Sequence, residues 1–345
     1  MKVLGIETSC DETAAAVVEN GTRLISNVVN SQIDIHARYG GVVPEVAARS
    51  HIEVVNAVID EAVVQAGGWS AIDAIAVTYA PGLIGSLLVG TLAARTLAIT
   101  KNKPLYPVHH IESHIYANWL SDEEDAPRSF PILALVVSGG HTQLILLHDH
   151  GDFETIGTTR DDAVGEVFDK VAKIIGLPYP GGPSISQAAL KGDQNRYKLP
   201  KAKLDTPYDF SFSGLKTAVL RAVQAEVGKR FTFPSAGLPE LLNGAQRADF
   251  AASFEKTAVD TLVDKLLKAQ EAYQPKTVVV AGGVSANRYL RQQVKERLPI
   301  LAHFPAPEFC TDNGAMVASA GYFHAQRLEP TNPYDLEVTP SLKIR

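Results

Sequence analysis

Lys2–Glu7 is an apolar run of strand length, followed by the polar turn Thr8-Ser9-Cys10-Asp11-Glu12-Thr13, a second apolar run, Ala14–Glu19, and the dipeptide Asn20-Gly21. The same order returns in Ile132–Val137, Ser138-Gly139-Gly140-His141-Thr142, Gln143–Leu147 and a turn at Asp149–Gly151. Strand, small polar loop, strand and turn, met twice in one chain, is what a duplicated domain leaves behind. Asn-Gly between apolar strands is a strong hairpin signal, and Leu24–Asn30 follows it as a third strand.

The rest of the chain alternates helix and strand. The pattern predicts a helix over Pro44–Gln65, with Val54, Val58, Ala62 and Val63 on its buried face. A strand at Ala74–Thr78, a buried small-residue helix at Gly85–Ile99 and a strand at Leu105–Val108 follow. In the second half, helices are expected at Asp161–Ile175, Leu215–Val227, Arg247–Ala272 and Asn313–Gln326, and a strand at Lys276–Val280. Such alternation indicates α/β sheets that bind ligands at the carboxyl ends of their strands. The acidic, proline-containing stretch 121–128 reads as the linker between halves.

Composition bounds the function. With 345 residues, 46% hydrophobic and 20% charged, the chain is globular stock for about two domains, neither disordered nor collagenous. Two cysteines, Cys10 and Cys310, form no disulfide framework and leave a single bridge open. Residues 74–94 carry no charge and are long enough to span a membrane, yet Pro81, Gly82, Gly85 and Gly90 break the run, so no membrane span is expected. The N-terminus reads as a strand and not a signal peptide, which places the expectation in the cytoplasm. A net charge of −6 opposes a nonspecific nucleic-acid coat and leaves room for an RNA enzyme with a local basic patch. The densest such patch is Lys191–Lys203, with Tyr197 as an aromatic able to stack on a base.

Three loops that follow apolar strands, Glu7–Thr13, Ser138–Thr142 and Gly282–Asn287, are built of Gly, Ser and Thr, whose backbone N–H groups can face an anion. None matches GxxxxGK[ST] or GxGxxG, which disfavours a P-loop ATPase and a Rossmann dehydrogenase. His110 and His114 stand four residues apart, on one face of a helix, within reach of one metal ion. Imidazole suits zinc or ferrous iron, and a carboxylate commonly completes the set. The other reading of the pair is capping or core histidines. A zinc-protease signature fails, because Ile111 follows His110 and Glu112 is turned off the shared face. Asp312 is a candidate third ligand, or else the N-cap of the last helix. Asp11 and Glu12 read equally as turn caps, Asp169 as a solvated helix residue and Asn287 as an N-cap.

Nine motifs in one order carry a resemblance. They are GIETSCDET at Gly5–Thr13, YGGVVPEVAAR at Tyr39–Arg49, APGLIGSLLVG at Ala80–Gly90, HHIESH at His109–His114, VSGGHTQL at Val137–Leu144, DDAVGEVFDKVAKIIGLPYPGGP at Asp161–Pro183, DFSFSGLKT at Asp209–Thr217, AGGVSANR at Ala281–Arg288 and CTDNGAM at Cys310–Met316. From residue 2 to about residue 320 the chain resembles the universal family of tRNA N6-adenosine threonylcarbamoyltransferases, formerly called O-sialoglycoprotein endopeptidases, in its bacterial form. The resemblance implies an α/β, actin-like and Hsp70-like ATPase fold with two ribonuclease-H-like lobes around a cleft. It implies an N-terminal lobe over 1–125 joined by a helix at about 313–328, and a C-terminal lobe over 126–312 with a helical insertion at about 180–250. The implied reaction moves the threonylcarbamoyl group of threonylcarbamoyl-adenylate to N6 of the adenosine 3′ of the anticodon in tRNAs reading codons that start with A.

Carried over residue by residue, His110, His114 and Asp312 hold one divalent ion per subunit, Fe2+ or alternatively Zn2+. Val136, Val137, Ser138, Gly139, Gly140, Asp169, Gly182 and Asn287 bind the adenylate, and Asp11 and Glu12 lie near the reacting centre as proton acceptors. Some relatives carry Asp four residues after Gly182, where this chain has Ser186, so a ribose contact made there is weaker or different. The implied partners are tRNA, a shorter paralogue of the same fold and a small P-loop ATPase, with no membrane. The rival reading is a sugar-kinase-like or other ATPase of the same fold, which has no use for the histidine pair.

Overall fold

A computed structural model describes residues 1–120, 127 and 129–344. All of the expected linker but Pro127 falls outside the described residues. Contacts divide the chain into two compact units: residues 1–129, 147–154 and 305–345, and residues 130–146 and 155–304.

The first unit contains β1 (Lys2–Glu7), β2 (Glu12–Glu19), β3 (Arg23–Ser31), α1 (Ile33–Ala37), α2 (Pro44–Gln65), β4 (Ala74–Ala80), α3 (Ile84–Lys101), β5 (Leu105–His109) and α4 (His110–Tyr116). Its sheet has the order β3-β2-β1-β4-β5, with β1 antiparallel to β2 and parallel to β4. Asn20 and Gly21 both take positive φ, 53° and 75°, as a tight hairpin requires. β1 is buried on both faces, so helices must cover both. Leu4 and Ile6 pack with Val55, Ile59 and Val63 of α2. Gly5, pointing the other way, lets the last helix of the chain lie directly on the strand: a Cβ there would collide with the backbone of Gly314 and Ala318.

The second unit holds β6 (Ile132–Val137), most of the β7 (Thr142–Asp149) and β8 (Asp152–Thr158) hairpin, α5 (Val164–Ile175), α6 (Gly181–Ala189), α7 (Ser213–Glu226), α8 (Gly244–Tyr273), β9 (Thr277–Ala281), α9 (Arg288–Arg297) and β10 (Ala302–His303). Sheet order β10-β9-β6-β7-β8 reproduces the first sheet with β6 in the place of β1. The duplicated pattern of the sequence is thus a duplicated topology. α10 (Gly314–Ala325) belongs to the first unit, against β1 and α4.

Two expectations need correction, and one open point is answered. α5 begins at Val164, not Asp161, because Asp161 is used elsewhere: its Oδ1 accepts from the N–H groups of Phe212 and Ser213 at 2.8 and 3.2 Å, opening α7. α3 is not a buried helix. Only one face, with Ser86, Leu87, Gly90, Thr91, Ala94 and Ala98, is buried, while Ile84, Leu88 and Leu92 are exposed. By length and composition α3 is apolar enough to cross a membrane, but it packs on α2 and β4. Cys10 and Cys310 are not disulfide-bonded, which closes the question of a bridge.

Candidate metal centre and nucleotide-binding residues

In the first unit, α4 is one short helix of 7 residues, all buried. His109 caps it: its Nδ1 accepts from the N–H of Ile111 at 3.2 Å, and its Nε2 lies 3.1 Å from the Leu342 carbonyl. The helical spacing then sets the His110 and His114 rings 4.7 Å apart. Asp312 arrives from the residues just before α10. It is not the N-cap, since Asn313 takes that role by accepting from Met316 N–H at 3.0 Å. Asp312 Oδ1 therefore faces the histidines, 3.7 Å from His110 Nε2 and 3.2 Å from His114 Nε2.

The set fits a metal ion. The ligand atoms of His110, His114 and Asp312 lie within 4.8 Å of one another. Two ligands of a tetrahedral ion at ~2.0–2.1 Å stand about 3.3 Å apart, close to the separations seen. His114 is 1% exposed, and neither of its ring nitrogens makes a hydrogen bond among the described residues. The 3.2 Å approach to Asp312 is thus a contact without donor–acceptor alignment, as when both atoms aim at a common point. A buried orphan imidazole is costly unless something binds it.

Charge points the same way. Burial pulls the His110 imidazole down, but Asp312 and Glu7 beside it carry it up to about 9. Burial, then Asp312 and Asp11, push the Glu12 carboxyl up to about 10. Glu12 Oε1 also accepts from the Ser31 hydroxyl at 3.2 Å. Carboxylates crowded this closely favour a cation among them. Asp11 and Glu12, at the β1–β2 loop, are therefore electrostatic neighbours of Asp312 and more than turn caps.

In the second unit, Val136 and Val137 end β6, and Ser138-Gly139-Gly140 turn tightly after it, with Ser138 N–H donating to His141 O at 2.8 Å. A Cβ on Gly139 or Gly140 would meet nothing, so the turn has an open side. Asp169, half-buried on α5, accepts from the N–H of Gly181 at 2.6 Å and so fixes the start of α6. It is no solvated helix residue. Gly182 follows with open space at its Cβ position. One turn on, Ser186 donates to Glu255 Oε1 at 2.5 Å. Asn287 caps α9 through Leu290 N–H at 2.8 Å, and its amide also donates to Ser186 Oγ at 2.8 Å and Glu255 Oε1 at 2.7 Å. Asn287 is thus the N-cap of α9, with its amide turned toward Ser186 and Glu255. Ser186 and Glu255 line a cavity of about 590 Å³ with Pro183, Arg288, Tyr289 and Gln292, a size suited to a nucleoside.

Glu7, Ser9, Thr78, Glu255 and His324 carry no individual role in the sequence reading, and Glu112 enters it only as a residue turned off the shared face. Their signal was faint: polar residues inside or at the ends of otherwise apolar strands and helices. The expectation for Tyr197 is corrected. Its ring stacks on Phe250 with centroids 3.7 Å apart and planes parallel, and Arg196 lies 5.7 Å over it, so it offers no face to a base. Lys201 pairs with Asp264 at 2.7 Å, while Lys191, Lys198 and Lys203 are exposed.

Two sheets of one topology, each with a short polar turn after its central strand, define an actin-like ATPase fold, here carrying a candidate metal centre. Solved structures share the fold: the T. kodakarensis HypF crystal structure at TM-score 0.63 and 14% identity, over 94% of this chain and 48% of that one, and component A of the Acidaminococcus fermentans (R)-2-hydroxyglutaryl-CoA dehydratase at TM-score 0.51 and 13% identity, over 95% and 100%. A family model described as tRNA N6-adenosine threonylcarbamoyltransferase (TsaD) matches residues 23–319. Relatives named tRNA N6-adenosine threonylcarbamoyltransferase are 51% identical in Thermomicrobium roseum, over 95% of this chain and 93% of that one, and 50% identical in Symbiobacterium thermophilum, over 99% and 96%. The chain belongs to the tRNA N6-adenosine threonylcarbamoyltransferase family.

Proposed function

We propose that the chain transfers the threonylcarbamoyl group of threonylcarbamoyl-adenylate to N6 of the adenosine 3′ of the anticodon in tRNAs that read codons beginning with A. The observation that carries this reading is the convergence of His110, His114 and Asp312, from distant parts of the chain, within a sequence of this family. A sugar kinase of the same fold has no need of that cluster. The three residues hold one divalent cation, ferrous iron, with zinc as the alternative that the same donors accept. Bound there, it acts as a Lewis acid toward a substrate oxygen.

The protein's own groups do the rest. The N–H groups of Gly139 and Gly140 in the turn after β6, and of Gly182 at the start of α6, hold the adenylate phosphate. Asp169 keeps α6 in place for that contact. Asn287 and Glu255 hold the nucleoside, and Glu255 supplies the carboxylate that residue 186 lacks. The donor is an activated acyl phosphate, so no covalent enzyme intermediate is required. N6 forms a bond to the carbamoyl carbon, the carbon–oxygen bond to phosphate breaks, AMP leaves, and the proton of the amine goes to Asp11, or to Glu12 where a cation at the site returns its carboxyl to the ionised form.

The reaction belongs in the cytoplasm and with two protein partners, a shorter paralogue of the same fold and a small P-loop ATPase. Support for a partner is the apolar face between α2 and α3, a groove of about 670 Å³ lined by Ile52, Val55, Leu88 and Leu92, larger and more apolar than scattered surface residues require. The test is to incubate the protein with threonylcarbamoyl-adenylate and unmodified tRNA, with and without these partners, and to look for the modified nucleoside by mass spectrometry. No product under any combination sinks the reading.

A further inference from the structure

Glu7 ends β1, a core strand, and is 0% exposed. A fully buried carboxylate costs several kcal/mol unless its oxygens are satisfied. Here they are. Oε1 accepts from Ser9 N–H at 2.5 Å, and Oε2 accepts from the Thr78 hydroxyl at 2.6 Å. Oε2 also faces His110 Nδ1 at 3.3 Å, with Ser9 Oγ 3.1 Å from the same nitrogen. The opposite ring nitrogen, Nε2, is the one that faces Asp312. An apolar residue would serve the packing of this strand better. The network makes sense as a device aimed at His110.

We propose that Glu7 is a positioning residue for the metal centre: by accepting the Nδ1 proton of His110, it leaves the Nε2 lone pair for the cation. The alternative tautomer would aim an N–H at the ion. A carboxylate on the far nitrogen also makes imidazole a stronger donor. Thr78, one strand over on β4, and the Ser9 amide hold the carboxylate in that orientation. The inference rests on reading His110, His114 and Asp312 as ligands.

Glu7→Gln tests it with almost no change of volume. The Ser9 N–H requires an oxygen on its side, so the amide NH2 is left facing Thr78 and His110 Nδ1. That arrangement makes Nδ1 the acceptor and puts the proton on Nε2. Zinc affinity of the purified full chain is read by competition with a chromophoric chelator, below the melting temperature of every variant, and the cobalt(II) visible spectrum reports the ligand set. Glu7→Gln is expected to bind zinc about 10–100-fold more weakly with an altered cobalt spectrum, and Thr78→Val a few-fold more weakly, while His110→Ala shows the loss of a ligand itself. A merely structural role would lower the melting temperature and leave the zinc Kd of the folded protein unchanged. Wild-type affinity and spectrum in Glu7→Gln overturn the proposal. If that variant does not fold, wild-type affinity in Thr78→Val does so. A wild-type protein that binds no zinc or cobalt removes the ligand reading first, and this inference with it.

Discussion

His114 is the residue on which the metal reading bears most directly. It is buried, its ring nitrogens find no hydrogen bond among the described residues, and its Nε2 stands beside Asp312. His114→Ala or Asp312→Asn should abolish stoichiometric metal binding while the melting temperature stays within a few degrees, because the set contributes a ligand and little apolar core. Metal content equal to wild type in either variant, by plasma emission spectrometry, would refute the assignment. The two histidines were legible because i, i+4 spacing is a local property of the chain, whereas Asp312, some two hundred residues on, read equally as an N-cap until the family resemblance singled it out. Glu7 and Thr78 were not legible, because they meet His110 only after β1, β4 and β5 pair. Tyr197 was misread for the same reason: its partner, Phe250, is far along the chain.

At the scale of elements, α4 is too short to hold its own geometry. It depends on ties to its neighbours. Glu112, on its far side from the ligands, lies 2.8 Å from His324 Nε2 on α10. Burial pulls the His324 imidazole down, but Glu112 beside it more than offsets this and raises it above its ordinary 6.5. A group protonated more readily in the folded than in the unfolded state adds stability that is fully present below about pH 6.5 and is lost as pH rises through the raised folded value. Chemical denaturation should thus find His324→Gln less stable by roughly 1–3 kcal/mol at about pH 6, with the gap closing in the alkaline range. A gap independent of pH would mean that no charged pair ties α4 to α10. Gly5 is a second constraint on α10. Gly5→Ala drives a methyl into helix backbone that has no side chain to move aside, so a loss of at least about 3 kcal/mol is expected. Stability within 1 kcal/mol of wild type, on the order of a surface change, would show that α10 can shift away. The longer elements were readable from periodicity, whereas α6 (hidden behind its Gly/Pro start) and β8 were not. Pro44–Gln65 matches α2, and the error at α5 arose because Asp161 serves a loop some fifty residues on, which no local pattern carries.

For the whole molecule, the duplicated sheets were visible in the sequence because each strand–turn–strand run is contiguous. The half-exposed α3 was not, because its apolar outer face reads as core until the surroundings are known. A chain with net charge −6 needs a local basic surface to hold tRNA. With Lys201 engaged by Asp264 and Tyr197 packed inward, the remaining candidates along the 191–203 segment are Lys191, Lys198 and Lys203. Replacing Lys198 and Lys203 by Glu should weaken tRNA binding and flatten its salt dependence, while binding of an adenylate analogue, read by calorimetry, stays at the wild-type value. Unchanged tRNA affinity and salt slope would move the tRNA to another surface. The central claim, that this chain with its metal centre modifies tRNA, is tested by quantifying N6-threonylcarbamoyladenosine in unmodified tRNA after incubation with threonylcarbamoyl-adenylate and partners, for wild type and Asp312→Asn side by side. The account predicts the modified nucleoside with wild type and its near absence with Asp312→Asn; equal yields from the two, or none from wild type, would contradict it.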